Sequence, residues 1–543
     1  MAQLTLLESR SMALLRLHAP VLRRTAWLTP ARLRDSAFCL LFGLIIVGIQ
    51  YRSGAFTADL ALDADEPAHA VSSLMVHDYL VQDFPHDPLQ FAWLFYGHYS
   101  KVSIGHWPPL FYLSEGIWML VAGRSQVALL LFVALCAAGL ISSVYLEVQH
   151  RSSTVAAVVS VAVLMSSRVF HIMLCGVRPD MLMTLLAFWA TVHCGEYMRF
   201  GSRRSRNLFV VFTVAAGLTH GRAAVLILLP FALLPLRYRI VKWKWLTAGA
   251  LVLLSMLLPP LLHQASHLSL PTMLPRAWDI ILSSVFLPGW PWKIHAAHGV
   301  ALVSGWPCAI LALIGLTLTF SRNPQQQFWA AMAGQIAATM AFFMLVAVPV
   351  ESRFMLMSTQ AIAVLAGGGV HVLLQRFSPG RQALRLAVSA AAIGWMAWAA
   401  VHVEPKPDRG YRQMVKNGLL NTNGIVLIAA DETNEGGLIV EASLSDPNRV
   451  HTVLRASKAL ANSTWMGYYR RLLFASSPEI LHYLDHRNVS LVLVQPTCTY
   501  PQVAQLRAAL VEDPADWRPD SETPRPGGIE IYRRTLVEGA PSH

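Results

Sequence analysis

Carboxylate, imidazole and guanidinium side chains near the ends of apolar runs are the residues of this sequence that could do chemistry. An acidic pair, Asp65-Glu66, lies close to Asp63 in the segment LDADEPAHAVSSLMVHDYL. A positioned carboxylate can take a proton from a hydroxyl nucleophile, and acidic residues also cap helix N-termini well. The pair therefore predicts either a helix cap or a carboxylate base above a lipid-borne substrate.

The elements that must position these residues are membrane spans. The 543-residue chain is 55% hydrophobic and 14% charged, with a mean hydropathy of +0.46. Soluble domains carry roughly 25% charged residues, so lipid is the expected solvent for most of the chain. The net charge of +12 does not form a nucleic-acid-binding patch, because the basic residues lie in short clusters between apolar runs.

Eleven apolar runs are predicted to cross the bilayer, for which about 20 residues each are needed. They lie near 37–51, 125–148, 154–172, 180–198, 207–221, 223–237, 245–263, 299–320, 328–348, 355–375 and 383–402. A further run at 108–123 opens with two prolines and carries Glu115. Counting it as a span would put three dense basic clusters outside. The positive-inside rule therefore predicts eleven spans, with the N-terminus inside and the C-terminus outside.

This topology places unusual polar residues from five separate segments at the outer membrane face. Ionisable residues at membrane depth are costly and tend to be functional, so a shared cavity open to the outer side is predicted. The residues are Asp63, Asp65, Glu66, His69, His106, Arg178, Asp180, His220, Arg222, Glu351 and Arg353.

The first outer loop, residues 52–107, is the longest connection between spans. Pro67 suits the first turn of a helix, and the apolar residues after it recur with helical spacing. An amphipathic helix lying on the membrane surface is therefore predicted. Lys101 and His106 follow, close to Pro108-Pro109. They predict either substrate contacts or an interfacial anchor, since Trp, Tyr and His favour that depth.

Five short motifs follow one another along the chain. They are Asp65-Glu66 before the predicted helix, HWPPLFY at 106–112, Arg178-Pro179-Asp180, GLTHGRAAVLILLP at 217–230, and Glu351-Ser352-Arg353-Phe354. Over about residues 37–400 they resemble the GT-C glycosyltransferases, above all protein O-mannosyltransferases and bacterial aminoarabinose–lipid A transferases. Two positions depart from the family pattern. Trp107 separates the histidine from Pro-Pro, and His220 replaces a lysine, with Arg222 two residues later.

The resemblance implies a polytopic α-helical membrane protein with a GT-C-like catalytic domain at 37–402. Such an enzyme transfers a sugar from a polyprenyl-phosphate-linked donor to a glycan, lipid or protein acceptor at the extracytoplasmic face. The expected catalytic residues are Asp65, as the base, and Glu66. The expected donor-phosphate ligand is Arg353, because its guanidinium forms bidentate pairs with phosphate oxygens.

The remaining site residues are expected substrate contacts under the same resemblance. They are Asp63, His69, Lys101, His106, Arg178, Asp180, His220, Arg222 and Glu351. Some members of the superfamily use a divalent metal and others do not. Asp63, Asp65, Asp180 and the histidines could bind one, but their spacing does not require it. The implied location is the inner (plasma) membrane.

A transporter and a non-catalytic scaffold or sensor are the alternatives to a glycosyltransferase. A transporter usually places ionisable groups or broken helices near the membrane midplane, often in internal repeats. Here the two halves show no repeat, and the charges gather at one face. A non-catalytic sensor or scaffold would keep the spans without the chemistry.

The two ends of the chain differ from the middle in composition. Residues 1–36 are basic and are predicted to be a cytoplasmic arm, and 403–543 are predicted to form a small extracytoplasmic α/β domain. Its strands are predicted at 424–431, 449–457, 489–496 and 527–535, with helices between them. Such alternation is typical of α/β sheets. A nucleotide-binding glycine motif does not follow the first strand, and the six cysteines lack paired or metal-ligand spacing.

Overall fold

The computed structural model describes residues 30–102, 105–234, 305–320, 325–345, 352–377, 380–422, 424–463, 471–520 and 528–535. Several sequence predictions concern residues outside this part. They are most of the N-terminal arm, the end of the span at 223–237, the whole span at 245–263, the start of the span at 299–320, the end of the span at 328–348, and Glu351.

Helices dominate the described part of the chain up to residue 401. They are α1 Pro30–Arg52, α2 Asp65–Gln82, α3 Pro88–His98, α4 Leu110–Ala122, α5 Gln126–Arg151, α6 Thr154–Met165, α7 Arg168–Leu174, α8 Asp180–Phe200, α9 Arg203–Thr219, α10 Val225–Leu233, α11 Trp306–Gly315, α12 Gln326–Leu345, α13 Leu356–Phe377 and α14 Gln382–Val401. Short 3-10 turns precede α10 (Gly221–Ala224) and α13 (Ser352–Met355) and follow α11 (Leu316–Thr319). Serine N-caps begin α5, α6, α7 and α9, each accepting a first-turn N–H.

Several of these helices are membrane spans. Within the described residues, four stretches are long and apolar enough to cross a membrane: Leu33–Arg52, Gln126–Arg151, Arg353–Phe377 and Gln382–Val401. The bent pair α6 and α7, with 67° between its two parts, is a fifth if it is one span. The chain is therefore a multi-pass membrane protein, and the number eleven stays a prediction. Helix α4 has 13 residues, fewer than the roughly 20 that a span needs.

Close helix packing places α13 in the middle of the bundle. A Cβ atom on Gly367 would collide with the carbonyl oxygen of Ala156 in α6, and one on Gly369 with that of Leu311 in α11. Small residues of this kind let spanning helices approach closely. Arg353 lies in the turn that leads into this closely packed helix.

The ends of the helices sort into two faces. At one face, Arg151 at the end of α5 pairs with Glu196 of α8 at 3.2 Å, and Gln149 donates to Asp35 of α1 at 3.1 Å. At the other face, the N–H of Lys406, beyond α14, donates to the carbonyl of Ser53, beyond α1, at 2.8 Å. The starts of α2 and α8 lie at this second face.

We expect the second face to be the extracytoplasmic one, as the distribution of basic residues predicts. Reporter fusions at about residues 203, 241 and 380 should then report the cytoplasm, and a fusion after residue 410 the outer side. A cytoplasmic signal from the last fusion would reverse the orientation of the site described below.

Beyond α14 the chain forms a mixed sheet with helices. The elements are α15 Tyr411–Met414, a π-helical turn Val415–Leu419, β1 Ile425–Ala429, α16 Glu432–Ser445, β2 Thr452–Arg455, α17 Ala456–Ala459, β3 Ala461–Asn462, β4 Arg471–Leu472, α18 Ser477–His486, β5 Val489–Val494, α19 Pro501–Glu512, β6 Trp517–Pro519 and β7 Glu530–Arg534. The five-stranded sheet has the order β2-β1-β5-β7-β6. Strands β2, β1 and β5 are parallel, and β7 is antiparallel to both neighbours. The domain boundary at 403 stays a prediction.

Helix α2, which the sequence predicts to be an amphipathic helix on the membrane surface, also has extensive contacts within the protein. It is largely buried, packed against α4 and α16. Its polar side chains have partners there: Ser73 donates to Glu115 of α4 at 2.5 Å, and Asp78 pairs with Arg124 at 2.8 Å. Because these pairs satisfy the polar side of the helix, it can pack within the protein.

Candidate active site

Asp63 lies at the centre of a charged cluster at the second face. Its Oδ1 accepts the backbone N–H groups of Asp65 and Glu66 at 3.0 and 3.1 Å, which satisfies two donors of the first turn of α2. Its Oδ2 pairs with Arg178 and with Arg353, whose Nη1 is 3.4 Å away. Burial raises the pKa of Asp63, but the Arg178 guanidinium outweighs burial and holds this pKa well below its ordinary value. Asp63 therefore ties two arginines to the start of α2.

Asp65 is the first residue of α2, and one of its two carboxylate oxygens forms an ion pair. Its Oδ2 lies 2.8 Å from Nη2 of Arg353. Within the part of the chain that the structure describes, Oδ1 of Asp65 has neither a hydrogen bond nor an ion pair. Both oxygens of Asp63 are occupied. Of the two aspartates, Asp65 is thus the one with an oxygen that can accept a proton.

Arg178 has a buried guanidinium group, and two of its nitrogen donors lack a hydrogen-bond partner among the described residues. Its side chain is 1% exposed and pairs with Asp63. Its Nε and Nη1, like Oδ1 of Asp180, have no hydrogen-bond partner among the described residues. Buried polar groups are nearly always hydrogen-bonded in native proteins, so these two N–H groups suit a bound anion.

Two further predicted residues lie near this cluster. The guanidinium carbon of Arg222 lies 3.1 Å from the ring centroid of Phe354, and that of Arg353 lies 5.2 Å from the same centroid. Both arginines are therefore within cation–π distance of one aromatic ring. Asp180, at the start of α8, is within electrostatic reach of Arg222, Arg178 and Arg353. Positive charge from three separate segments thus converges here.

Glu66 has a different environment from Asp65. Its carboxylate is fully buried and pairs with Nζ of Lys406 at 2.5 Å. It also accepts the N–H groups of Leu62 at 2.7 Å and Val177 at 3.1 Å. Both oxygens are engaged, so these contacts favour a positioning role, and the catalytic role predicted for Glu66 stays a prediction.

His69 belongs to an aromatic group beside the cluster. Its Nδ1 lies 2.7 Å from the hydroxyl of Tyr112, and its ring stacks on Trp107 with 4.0 Å between centroids. Burial lowers the pKa of His69 well below 6.5, so the imidazole is neutral at pH 7. His106 meets Trp107 edge-on at 5.2 Å. His220 accepts the N–H of the second residue after it at 3.1 Å and caps the turn before α10.

Lys101 contacts the C-terminal part of the chain. Its Nζ donates to the carbonyl of Glu432 at 3.0 Å, and its side chain is buried. Burial, together with the charge of Arg455, lowers the pKa of Lys101 from 10.5 to about 7. Protonating Lys101 in the folded protein is therefore costly, although Asp65 and other carboxylates nearby partly offset the cost.

This depressed pKa predicts a specific pH dependence of stability. The unfolded chain binds a proton on Lys101 up to about pH 10.5, and the folded chain only up to about pH 7. Stability should therefore rise with pH between about 7 and 10.5, by at most about 1.4 kcal/mol per pH unit. Lys101→Met should lack this increment in thermal unfolding at pH 7, 8 and 9, whereas Lys416→Met, at an exposed lysine, should keep it. Equal pH slopes in the wild type and Lys101→Met would contradict the assignment.

The structure thus brings together many, but not all, of the predicted residues. Asp63, Asp65, Arg178 and Arg353 are in direct contact, and His69, Asp180, His220 and Arg222 are within electrostatic reach of them. His106 contacts Trp107, which stacks on His69. Lys101 donates to Glu432 in the C-terminal part and is within electrostatic reach of Asp65. Glu351 lies outside the described residues. Sequence reasoning missed Lys406 and gave no role to Tyr112, although Tyr112 ends the quoted motif HWPPLFY. The only signal for Lys406 is its place in the charged, proline-containing segment that follows the last span.

Metal binding is one of the roles predicted for the carboxylates and histidines of this site. Among the described residues, no group of three His, Cys, Asp or Glu side chains is placed to share a metal ion. Asp63 and Asp65, two of the three carboxylates predicted as ligands, are paired with guanidinium groups. Metal use stays a prediction.

Comparisons with known proteins show that the chain has a known fold. Residues 106–263 match the family described as dolichyl-phosphate-mannose-protein mannosyltransferase. The structure is similar to ArnT from Cupriavidus metallidurans bound to undecaprenyl phosphate, with a TM-score of 0.55 and 13% identity over 93% of this chain and 100% of that one. It is also similar to the archaeal oligosaccharyltransferase AglB from Archaeoglobus fulgidus in complex with an inhibitory peptide and a dolichol-phosphate, with a TM-score of 0.50 and 11% identity over 92% of this chain and 74% of that one. The search of curated proteins found no match.

Proposed function

We propose that this chain, which has the fold of the GT-C superfamily of polyprenyl-phosphate-sugar glycosyltransferases, transfers a sugar from a polyprenyl-phosphate donor to an acceptor hydroxyl. Transfer takes place at the extracytoplasmic face of the inner membrane. The acceptor is a glycan, a lipid or a protein that reaches this face. Asp65 is the base, and Arg353 and Arg178 hold the donor phosphate.

One observation carries the proposal. A carboxylate with an unoccupied oxygen and two arginines gather at one face of a membrane helix bundle. Arginine binds phosphate through paired N–H groups, and Arg178 has two buried N–H groups without a partner among the described residues. This arrangement supports the proposal, because transfer from a lipid phosphate requires a proton acceptor close to phosphate ligands.

The proposed step is a single displacement at the anomeric carbon. The acceptor oxygen forms a bond to this carbon while the bond from the carbon to the phosphate oxygen breaks. Oδ1 of Asp65 accepts the proton of the acceptor hydroxyl as this happens. The leaving group is the polyprenyl phosphate, which gains one negative charge.

The arginines act on that leaving group. Positive groups placed where negative charge develops lower the barrier more than charges that only bind the ground state. Asp63 holds Arg178 and Arg353 near each other, so that their N–H groups need not reorganise during the step. Arg222, close to the same ring as Arg353, adds positive charge.

The proposal is tested by mass spectrometry of envelope glycans and lipids from cells with and without the protein. The expected result is one species that carries an additional sugar only when the protein is present. Identical envelopes under conditions in which the protein is made would favour a scaffold.

A further inference from the structure

Glu66 is a junction of three chain segments. Its Oε2 accepts the N–H of Leu62, just before Asp63, and its Oε1 accepts the N–H of Val177, next to Arg178. The same Oε1 pairs with Lys406, beyond the last described span. One carboxylate thus connects the loop that carries the proposed base to the loop that carries a proposed phosphate ligand.

Separating the ion pair of Glu66 and Lys406 would have a high free-energy cost. The two side chains are 0% and 1% exposed, and an unpaired charge at such depth is strongly unfavourable. The backbone of Lys406 is fixed as well, because its N–H donates to the carbonyl of Ser53 at 2.8 Å. Lys406 therefore holds Glu66 from a point that is itself fixed to the end of α1.

Residues 404–412, which we call the strap, continue along the same loop. The N–H of Arg409 donates to Asp59 at 2.6 Å, and the Arg409 guanidinium donates to Asn434 of α16 at 3.1 Å. Tyr411 also donates to Asn434. The strap is therefore bound on one side to the first outer loop and on the other to α16.

Two glycines of α16 allow this helix to pack closely against the start of α2 and against the strap. A Cβ atom on Gly436 would lie 2.9 Å from Cγ of Pro67, and one on Gly437 would lie 2.6 Å from Cε2 of Tyr411 and 2.9 Å from Cβ of Ala61. Two successive glycines thus let α16 contact the start of α2 and the strap at once. The loop from Ala61 to Pro67 is held between the strap and α16.

We propose that Lys406 is a positioning residue for the transfer reaction, acting through Glu66 to align Asp65 with Arg178. The strap thereby gives the C-terminal part of the chain a role in the reaction. The inference rests on the proposed transferase function. Misplacement of reacting groups by about 1 Å can lower a rate by about 10²-fold, so loss of this alignment should reduce transfer without removing a group that touches substrate.

The experiment separates alignment from stability with a double variant. Lys406→Met leaves Glu66 buried and unpaired, so thermal unfolding should move to lower temperature and the sugar product should fall. Adding Glu66→Gln removes the unpaired charge, so the unfolding temperature should recover. The ion pair between residues 66 and 406 is still absent in the double variant. The amount of sugar product per folded protein should therefore remain about 10²-fold below the wild type.

Further readouts make the result specific. Binding of undecaprenyl phosphate by purified protein should fall less than product does, because Asp63 still holds Arg178 and Arg353. Lys406→Arg, which keeps a donor for Glu66, should retain most of the product, and the exposed Lys416→Met should match the wild type throughout.

Two results would overturn the inference. One is a double variant that regains both stability and product. The other, decisive also if the double variant does not fold, is a Lys406→Arg protein that folds and yet loses product as fully as Lys406→Met. A wild type that makes no product would instead reject the proposed function and is recognised by that result alone.

Discussion

Asp65→Asn is expected to lower sugar transfer by about 10²–10⁴-fold, the usual contribution of a positioned base. Asparagine keeps the shape of the side chain and can still accept a hydrogen bond from Arg353, but it cannot take a proton from the acceptor. Binding of undecaprenyl phosphate should stay near the wild-type level, because Arg178 and Arg353 remain tied by Asp63. Transfer is measured as sugar product per folded protein, and binding with purified protein.

Two other aspartates serve as controls for that variant. Asp83→Asn, at the end of α2 and away from the cluster, should leave both transfer and binding unchanged. Asp63→Asn should weaken phosphate binding, because Asp63 pairs with both arginines, and any loss of transfer should accompany that weaker binding. The opposite pattern would show that Asp63 is the base. In that case Asp65→Asn would transfer sugar at the wild-type rate, and Asp63→Asn would bind undecaprenyl phosphate but not transfer sugar.

Arg353→Lys is expected to reduce both phosphate binding and transfer by about 10- to 100-fold. Lysine keeps the charge but is a single point donor, whereas the guanidinium presents a planar fork. Arg353 uses this fork to reach Asp65 and Asp63 at once. Hydrogen bonds to charged groups contribute about 1.5–3 kcal/mol each, so loss of one corresponds to that range of affinity.

The control lies at the other end of the same helix. Arg376, in the last turn of α13, is exposed, and Arg376→Lys should behave as the wild type in both assays. Loss of transfer in Arg353→Lys with unchanged phosphate binding would mean that Arg353 acts on Asp65 and not on the donor.

Much of the site could be predicted from the sequence because the membrane restricts where polar residues can lie. Asp63, Arg178 and Arg353 are far apart in the chain, yet the alternation of basic loops places all three at one face. Charge at membrane depth is expensive, so residues of opposite sign at one face are expected to pair, as they do here.

Other features depend on contacts that periodicity does not encode. The pattern of α2 predicts an amphipathic helix on the membrane surface, but it does not encode the partners of Ser73 and Asp78, which lie on α4 and at Arg124. Lys406 is a lone lysine in a short connecting segment, so its pairing with Glu66 is visible only in three dimensions. Lys101, which the sequence predicts to be a substrate contact or an interfacial anchor, donates to the carbonyl of Glu432 in α16, and its role stays a prediction.

If this site consumes a polyprenyl-phosphate sugar, free polyprenyl phosphate must be released, so the fate of the lipid is the most direct test of the proposed function. Purified protein in liposomes is given a total extract, containing lipids, glycans and proteins, of membranes from cells without this protein. Polyprenyl lipids are followed by mass spectrometry. With the wild type, the predicted result is loss of a polyprenyl-phosphate sugar and release of an equal amount of free polyprenyl phosphate. With Asp65→Asn, neither change is expected. Sugar transfer without release of polyprenyl phosphate, or release of a polyprenyl diphosphate, would contradict it.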